Sequence, residues 1–403
     1  MADVIELNER RYRKPTRPTV VICVDGCDPE YVERGIADGV FATIGAFRER
    51  GFLGTADAVM PTFTNPNNVS IVTGAPPSVH GIAGNYYLDR ETGREIMMTD
   101  EHLMRSETIL ALMARAGVKT AAITAKDKLR RLLGRNLDGI CFSSECASAE
   151  IEALVGRSKP EMYSADLSLF VLDAGIGLLE RGAAELLYLS LSDYVQHAHA
   201  PGDPEADSFN RAIDERVRRF VELGAAVGLV ADHGMNDKAL PNGEPNVVFL
   251  EDELNNRFGP GAARVICPIT DPFVRHHGAL GSFVRVYARN SPDIPALMAA
   301  SAALAGVPLV LDAAGAAERF ALPLDCEADF VVLGDDHTAI GAARAEHDLS
   351  GLAGHRLRSH GGLGEQRVPF ILSRPLTPEY QHIAATRNLC NFDIFDFVLN
   401  GTA

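Results

Sequence analysis

No run of about 18 apolar residues occurs anywhere in this chain, so the sequence offers no transmembrane helix. The first residues, 1–14, are polar and charged and contain no apolar core of a secretory signal. Positive charge is also in short supply: 38 Lys and Arg stand against 54 Asp and Glu, a formal net charge of -16. A broad surface for DNA or RNA backbones needs clustered cations, and this balance argues against one. It does not argue against a small phosphorylated substrate, because a metal or a few local lysines can reverse the sign inside one pocket. Cysteines number seven, an odd count scattered over 403 residues, which is no disulfide framework. Reduced thiols in a cytoplasmic protein are the expectation. There is no internal repeat and no low-complexity linker.

What the chain does have is a set of apolar runs that stop at an acid. Val227-Gly228-Leu229-Val230-Ala231 is followed at once by Asp232-His233-Gly234. Val20-Val21-Ile22-Cys23-Val24 ends at Asp25-Gly26, and the run 185–191 delivers Ser192-Asp193-Tyr194-Val195-Gln196-His197. Runs apolar on both faces read as strands of a largely parallel sheet covered on two sides. Helical spacing over 107–116, 167–179 and 204–223 alternates with them, which predicts an α/β fold with helices on both faces of a central sheet. In such sheets ligands gather at the carboxyl ends of the strands. From about residue 256 the texture changes: four short strands surround an Ala-rich helix at 295–304. Residues 256–348 therefore read as a smaller α+β cap insertion, leaving 1–255 and 349–403 as the core. The sheet resumes at 368–372 and a helix at 393–399 closes the chain.

Carboxylates gathered at one sheet edge repel, and they usually need a cation between them. Asp232 has His233 beside it, Asp193 has His197 four residues on, and His360 sits in the glycine loop Ser359-His360-Gly361-Gly362. Mixed Asp/His ligation suits Zn²⁺ and, less exclusively, Mn²⁺ or Fe²⁺. His199 competes with His197 but lies one residue off the helical face of Asp193. Thr64 or Asn65 reads as a helix N-cap, with Pro66 in the first turn and Gly74 at the stop. Asn85, in a glycine-punctuated loop, reads as a turn residue. Lys126 and Lys128 follow a strand at 119–125 and share a face if the chain is extended there; a solvated strand exit is the plainer account. His276-His277 and Asp335-Asp336-His337 could line the site from the insertion, but a surface loop is the expectation. Cys27-Asp28-Pro29-Glu30 is only faintly similar to the sulfatase nucleophile signature, since Tyr31 stands where Arg is required, and Cys23 reads as strand core.

As a set, Asp25, Thr64, Asp193-x-x-x-His197, Asp232-His233-Gly234 and His360-Gly361 resemble the alkaline phosphatase superfamily in order and approximate spacing. Thr64 with His80-Gly81-Ile82-x-Gly84-Asn85 is similar to its nucleotide pyrophosphatase/phosphodiesterase branch, and the resemblance spans about 19–255 and 350–400. It implies two divalent metal ions, Zn²⁺ first. One would be held by Asp193, His197 and His360, the other by Asp25, Asp232, His233 and the Thr64 oxygen. It further implies Thr64 as nucleophile and Asn85 on a non-bridging phosphoryl oxygen. Thr124-Ala125-Lys126-Asp127-Lys128-Leu129-Arg130 resembles the members of that branch that hydrolyse the C–P bond of phosphonoacetate. This implies that Lys126 and Lys128 bind the substrate carboxylate and that turnover gives acetate and phosphate through phospho-threonine. A phosphodiesterase or nucleotide pyrophosphatase is the alternative, and a non-catalytic metal-binding protein a third. The expected partner is a small phosphonate, with no nucleic acid and no membrane; a homodimer is also admitted.

Overall fold

The structure is a computed structural model and describes residues 3–269, 280–290, 293–352 and 355–403. His276 and His277, considered above as lid residues, lie outside the described residues.

The strands Thr19–Cys23, Thr120–Thr124, Leu186–Ser190 and Ala226–Val230 are buried at every position. Removing each large aliphatic side chain from water contributes roughly 1.5–3 kcal/mol, so strands with no polar face belong at the centre of a covered sheet. They pair parallel, with Val230 opposite Cys23, Cys23 opposite Ser190 and Ser190 opposite Thr124. The strand ends therefore stand in line. Among the described residues the sheet has seven strands in the order Phe52–Asp57, Arg367–Leu372, Ala226–Val230, Thr19–Cys23, Leu186–Ser190, Thr120–Thr124 and Ile140–Ser143. Only Arg367–Leu372 runs antiparallel to its two neighbours. The helices Ala42–Arg50, Asp166–Glu180 and Pro204–Glu222 pack together as one layer, and Thr64–Thr73, Ile109–Arg115 and Ile394–Asn400 as another. Among the described residues no helix is long and apolar enough to cross a membrane.

A second sheet lies within the segment read as an insertion. Its strands Ala263–Ile266, Phe283–Ala288, Phe330–Leu333 and Leu309–Asp312 pair antiparallel in that order. Its apolar cluster, built on Leu297, Phe283 and Phe330, takes in Met60, Phe63 and Ala83 as well as Leu250 and Leu254, all from outside 256–348. A buried ion pair reinforces this attachment. Arg285, 1% exposed, bonds Glu327 through two of its nitrogens. One of these also donates to the Ala83 carbonyl at 3.1 Å.

Removing one partner of such a pair leaves an uncompensated buried charge, at a cost of about 3–5 kcal/mol. Glu327→Ala should lower unfolding free energy by that amount in urea titration, and adding Arg285→Met should recover much of it. Equal stability of Glu327→Ala and the parent would sink this account of the attachment.

Candidate metal centre

The parallel register carries a row of charged groups past the strand ends. The ladder runs one residue further, through Val24 N–H to Val230 O, Leu191 N–H to Cys23 O and Ala125 N–H to Ser190 O. Asp232 and His233, Asp25, Asp193 and Lys126 then follow on four adjacent strands. A left-handed turn at Gly26, φ +70°, lets the chain leave at once; a Cβ there would sit 3.2 Å from that of Asp193. Asp193 caps the short helix Tyr194–Ala198, which turns His197 back so that its Nε2 lies 2.9 Å from Asp193 Oδ2. His360 Nε2 lies 3.9 Å from the same oxygen, and His233 Nε2 lies 3.2 Å from Asp25 Oδ1. The rings of His233 and His360 stack, with centroids 3.6 Å apart.

Two sets of mutually close donor atoms result: Asp193, His197, His360 and Asp25, Asp193, His233. The sequence expectation puts Asp232 where Asp193 appears in the second set. Asp232 stands close beside it, with Oδ2 3.9 Å from His233 Nε2. Its oxygens are already engaged: Oδ1 accepts from the Gly26 and His233 N–H groups, and Oδ2 accepts from Asn68.

The donor set fits divalent cations. Each imidazole Nδ1 faces a carbonyl, of Arg358 for His197, Gly234 for His233 and Thr62 for His360, at 2.9, 2.9 and 2.7 Å. A carbonyl can only accept, so each Nδ1 carries a proton, and with a cation bound each ring would turn an Nε2 lone pair into the cluster. There it meets carboxylate oxygens, also lone-pair donors. Asp25 Oδ1 is buried and receives no properly directed hydrogen bond, the signature of an oxygen placed for a cation. Electrostatics agree. Burial, with Asp193 and Asp232 nearby, pushes the Asp25 carboxyl up to about 8. Burial would lower His233, but Asp232 and Asp25 outweigh it and raise the imidazole to about 10. Burial opposes ionisation of Asp193, yet Lys126 and His197 hold it well below the ordinary carboxylate range.

Two of the expected substrate groups, Thr64 and Lys126, lie against this cluster. Thr64 is the first residue of the helix Thr64–Thr73, and Phe63 occupies the cap position. The N-cap expectation for Thr64 or Asn65 is thus not met: the Thr64 hydroxyl makes no cap bond and lies 3.5 Å from His233 Nε2. Asn85 is buried, held by backbone bonds to Pro268 and Met98, and its side-chain oxygen has no partner among the described residues. Lys126 Nζ reaches Asp193 Oδ1 at 3.3 Å. The shared extended face predicted for Lys126 and Lys128 is not observed, because the helix Asp127–Leu133 begins between them and takes Lys128 into its first turn. His199 stands away from the cluster, its Nδ1 3.8 Å from Glu205. His337 is exposed beside the Asp237 carbonyl.

Residues 19–277 match the family described as type I phosphodiesterase / nucleotide pyrophosphatase. The chain belongs to this family. A solved phosphonoacetate hydrolase from Sinorhizobium meliloti 1021, in complex with phosphonoacetate, is 43% identical over the full length of both chains, with a TM-score of 0.93. A phosphonoacetate hydrolase from Penicillium oxalicum is 57% identical over 49 residues, 11% of this chain and 68% of that sequence. Murine ectonucleotide pyrophosphatase/phosphodiesterase 5 shares the fold at 16% identity and a TM-score of 0.61, with 96% of each chain covered.

In this member of the phosphodiesterase family, three buried supports went unnoticed in the sequence. Arg358 donates to the Gln196 and Met235 carbonyls and pairs with Asp237, while its own carbonyl orients His197. It thus ties together the loops that carry His197, His233 and His360. Lys238 and Glu365, both fully buried, pair at 2.8 Å, and Glu365 also accepts from Asn236 and Gly362. Ser70 accepts from His80 Nε2 at 2.8 Å, while His80 Nδ1 accepts from Ile82 N–H, pinning the Asn85 loop to the Thr64 helix. Motif position alone could have flagged His80; the others bond mainly to distant backbone.

Burial pushes the His80 imidazole down to about 3. The unfolded chain, with an ordinary value near 6.5, then binds the extra proton, so stability rises with pH between about 3 and 6.5 and falls below it. His80→Gln should flatten this acid limb, by about 1.4 kcal/mol per pH unit, in unfolding curves recorded across that window. An unchanged slope would refute a neutral His80.

Proposed function

We propose that this enzyme hydrolyses phosphonoacetate to acetate and phosphate. The observation that carries the reading is the Lys126 ammonium standing within the acid and imidazole cluster, 3.3 Å from Asp193. A carboxylate at one end of a substrate and a phosphonate at the other would find a cation for each. The likeness to a solved phosphonoacetate hydrolase over the whole chain supports it.

Two divalent ions, when bound, supply Lewis acidity that favours the Thr64 alkoxide and offsets the phosphonate charge. Asp193, His197 and His360 would hold one, and Asp25, Asp232, His233 and the Thr64 oxygen the other. Zn²⁺ is the proposed ion, given the mixed carboxylate and imidazole donors, and a cytoplasmic setting suits the free thiols. Thr64 Oγ attacks phosphorus in line and forms the P–O bond. The C–P electron pair leaves on the methylene carbon as the enolate of acetate, which solvent protonates. Lys126 and Lys128 bind the carboxylate and so stabilise the charge as it develops. The Asn85 amide orients a non-bridging oxygen. Water then cleaves phospho-Thr64 and releases phosphate. The family also contains diesterases, and a diesterase reading makes no use of Lys126.

Phosphate release should be measured from phosphonoacetate and from an aryl phosphodiester, with and without chelator. Phosphonoacetate should be the better substrate, and chelation should abolish its turnover. A strong preference for the diester would replace this reading with the phosphodiesterase one. Thr64→Ala should retain metal and lose on the order of 10³-fold or more in kcat. Lys126→Met removes a charge-assisted hydrogen bond of about 1.5–3 kcal/mol. It should lower kcat/KM for phosphonoacetate roughly 10- to 100-fold and leave residual diester cleavage unchanged; equal loss on both substrates would contradict a carboxylate role.

A further inference from the structure

Asn68 lies one helical turn beyond Thr64, is fully buried, and uses its whole amide. Its Nδ2 donates to the Thr64 carbonyl at 3.0 Å and to Asp232 Oδ2 at 3.0 Å. Its Oδ1 accepts from the hydroxyl of Tyr188 at 2.7 Å. The amide can adopt only this orientation, because a flip would set its oxygen against two acceptors. Tyr188 is itself fully buried on the central Leu186–Ser190 strand. A rigid line therefore runs from the sheet through Tyr188 and Asn68 to two points at once: the backbone of Thr64 and one carboxylate of the cluster.

Such a bond does more than fill space. Asp232 Oδ1 is fixed by the Gly26 and His233 N–H groups. Without Asn68, Oδ2 would keep no neutral donor among the described residues and would face His233 Nε2 at 3.9 Å and the other acids. With Asn68 in place, one lone pair of Oδ2 is engaged and the carboxylate plane is set, which leaves the other lone pair directed. The same amide fixes Thr64, and nothing comparable links Thr64 to Asp193, His197 or His360.

The geometry points to Asn68 as a positioning residue that selectively builds one of the two metal sites, the one shared by Asp232 and Thr64, and holds the nucleophile in register with it. Tyr188 sets its orientation. This rests on the reading that Asp232 and Thr64 serve the same ion.

The test is a Zn²⁺ titration of apoprotein against a chromophoric chelator, which resolves two binding events. Asn68→Leu keeps the volume and removes the hydrogen bonds. It should weaken one event about 10- to 100-fold, the usual effect of losing a ligand's support, and leave the other within about twofold. Because the bonds act through Asp232, the double variant Asn68→Leu/Asp232→Asn should bind little worse than Asp232→Asn alone. In kinetics kcat should fall while KM holds. Tyr188→Phe, a milder change that keeps the ring packing, should weaken the same event roughly two- to tenfold. Equal weakening of both events, or of neither, would overturn the role of Asn68. Wild-type protein that takes up a single Zn²⁺ would instead remove the two-metal reading beneath it.

Discussion

Repulsion between buried carboxylates is the constraint around which this molecule is arranged. Parallel pairing of strands that have no polar face brings Asp25, Asp193 and Asp232 to one sheet edge, each almost wholly removed from water. Neither lysine charge nor imidazole protons suffice to neutralise them: Asp25 is driven up to about 8 even with His233 beside it. A low-dielectric pocket with excess negative charge will recruit cations and, through them, an anionic substrate. The overall acidity of the chain is thus no obstacle to binding a phosphonate.

Holding such a cluster open costs conformational freedom, and the surrounding bonds supply the restraint. His197 and His360 are anchored by carbonyls of other loops, at Arg358 and Thr62, and His233 by that of its neighbour Gly234. Arg358 and the Lys238–Glu365 pair then clamp those loops together. At Gly361, φ +118°, a Cβ would come 2.6 Å from the Phe63 ring, so the chain beside His360 approaches the Thr64 helix as only glycine allows.

How much of this was legible in the sequence depended on the range of the interactions. The acids were visible because burial on both faces erases alternation, so an apolar run that stops at Asp marks a strand end whatever lies around it. The α/β architecture followed from the same pattern. Local preference makes Thr64 or Asn65 the expected cap, but Phe63 occupies that position and the Thr64 hydroxyl faces His233, 169 residues away. An extended chain at Lys126–Lys128, the condition for the two to share a face, fails for a similar reason. Glu145, on the neighbouring strand exit, accepts the Asp127 N–H, and Asp127 bonds Ser143 there; joined by the local pair with Arg130, these start a helix. Arg358 and Lys238 carry no short motif, since their partners are carbonyls and carboxylates about 100 residues away or more, and the bonds of Asn68 to Asp232 and Tyr188 are as distant.

Phe63 has a consequence for how this scaffold can diversify. The ring belongs to the apolar cluster of the second sheet and meets both Phe283 and His360 edge-on. Its backbone caps the helix that begins with Thr64. The second sheet is therefore joined to the acid and imidazole cluster through a shared keystone and cannot be exchanged as an independent module. A graft from a relative with another specificity would have to bring a matching socket for this ring, or it would alter the chemistry while attempting to alter only the substrate.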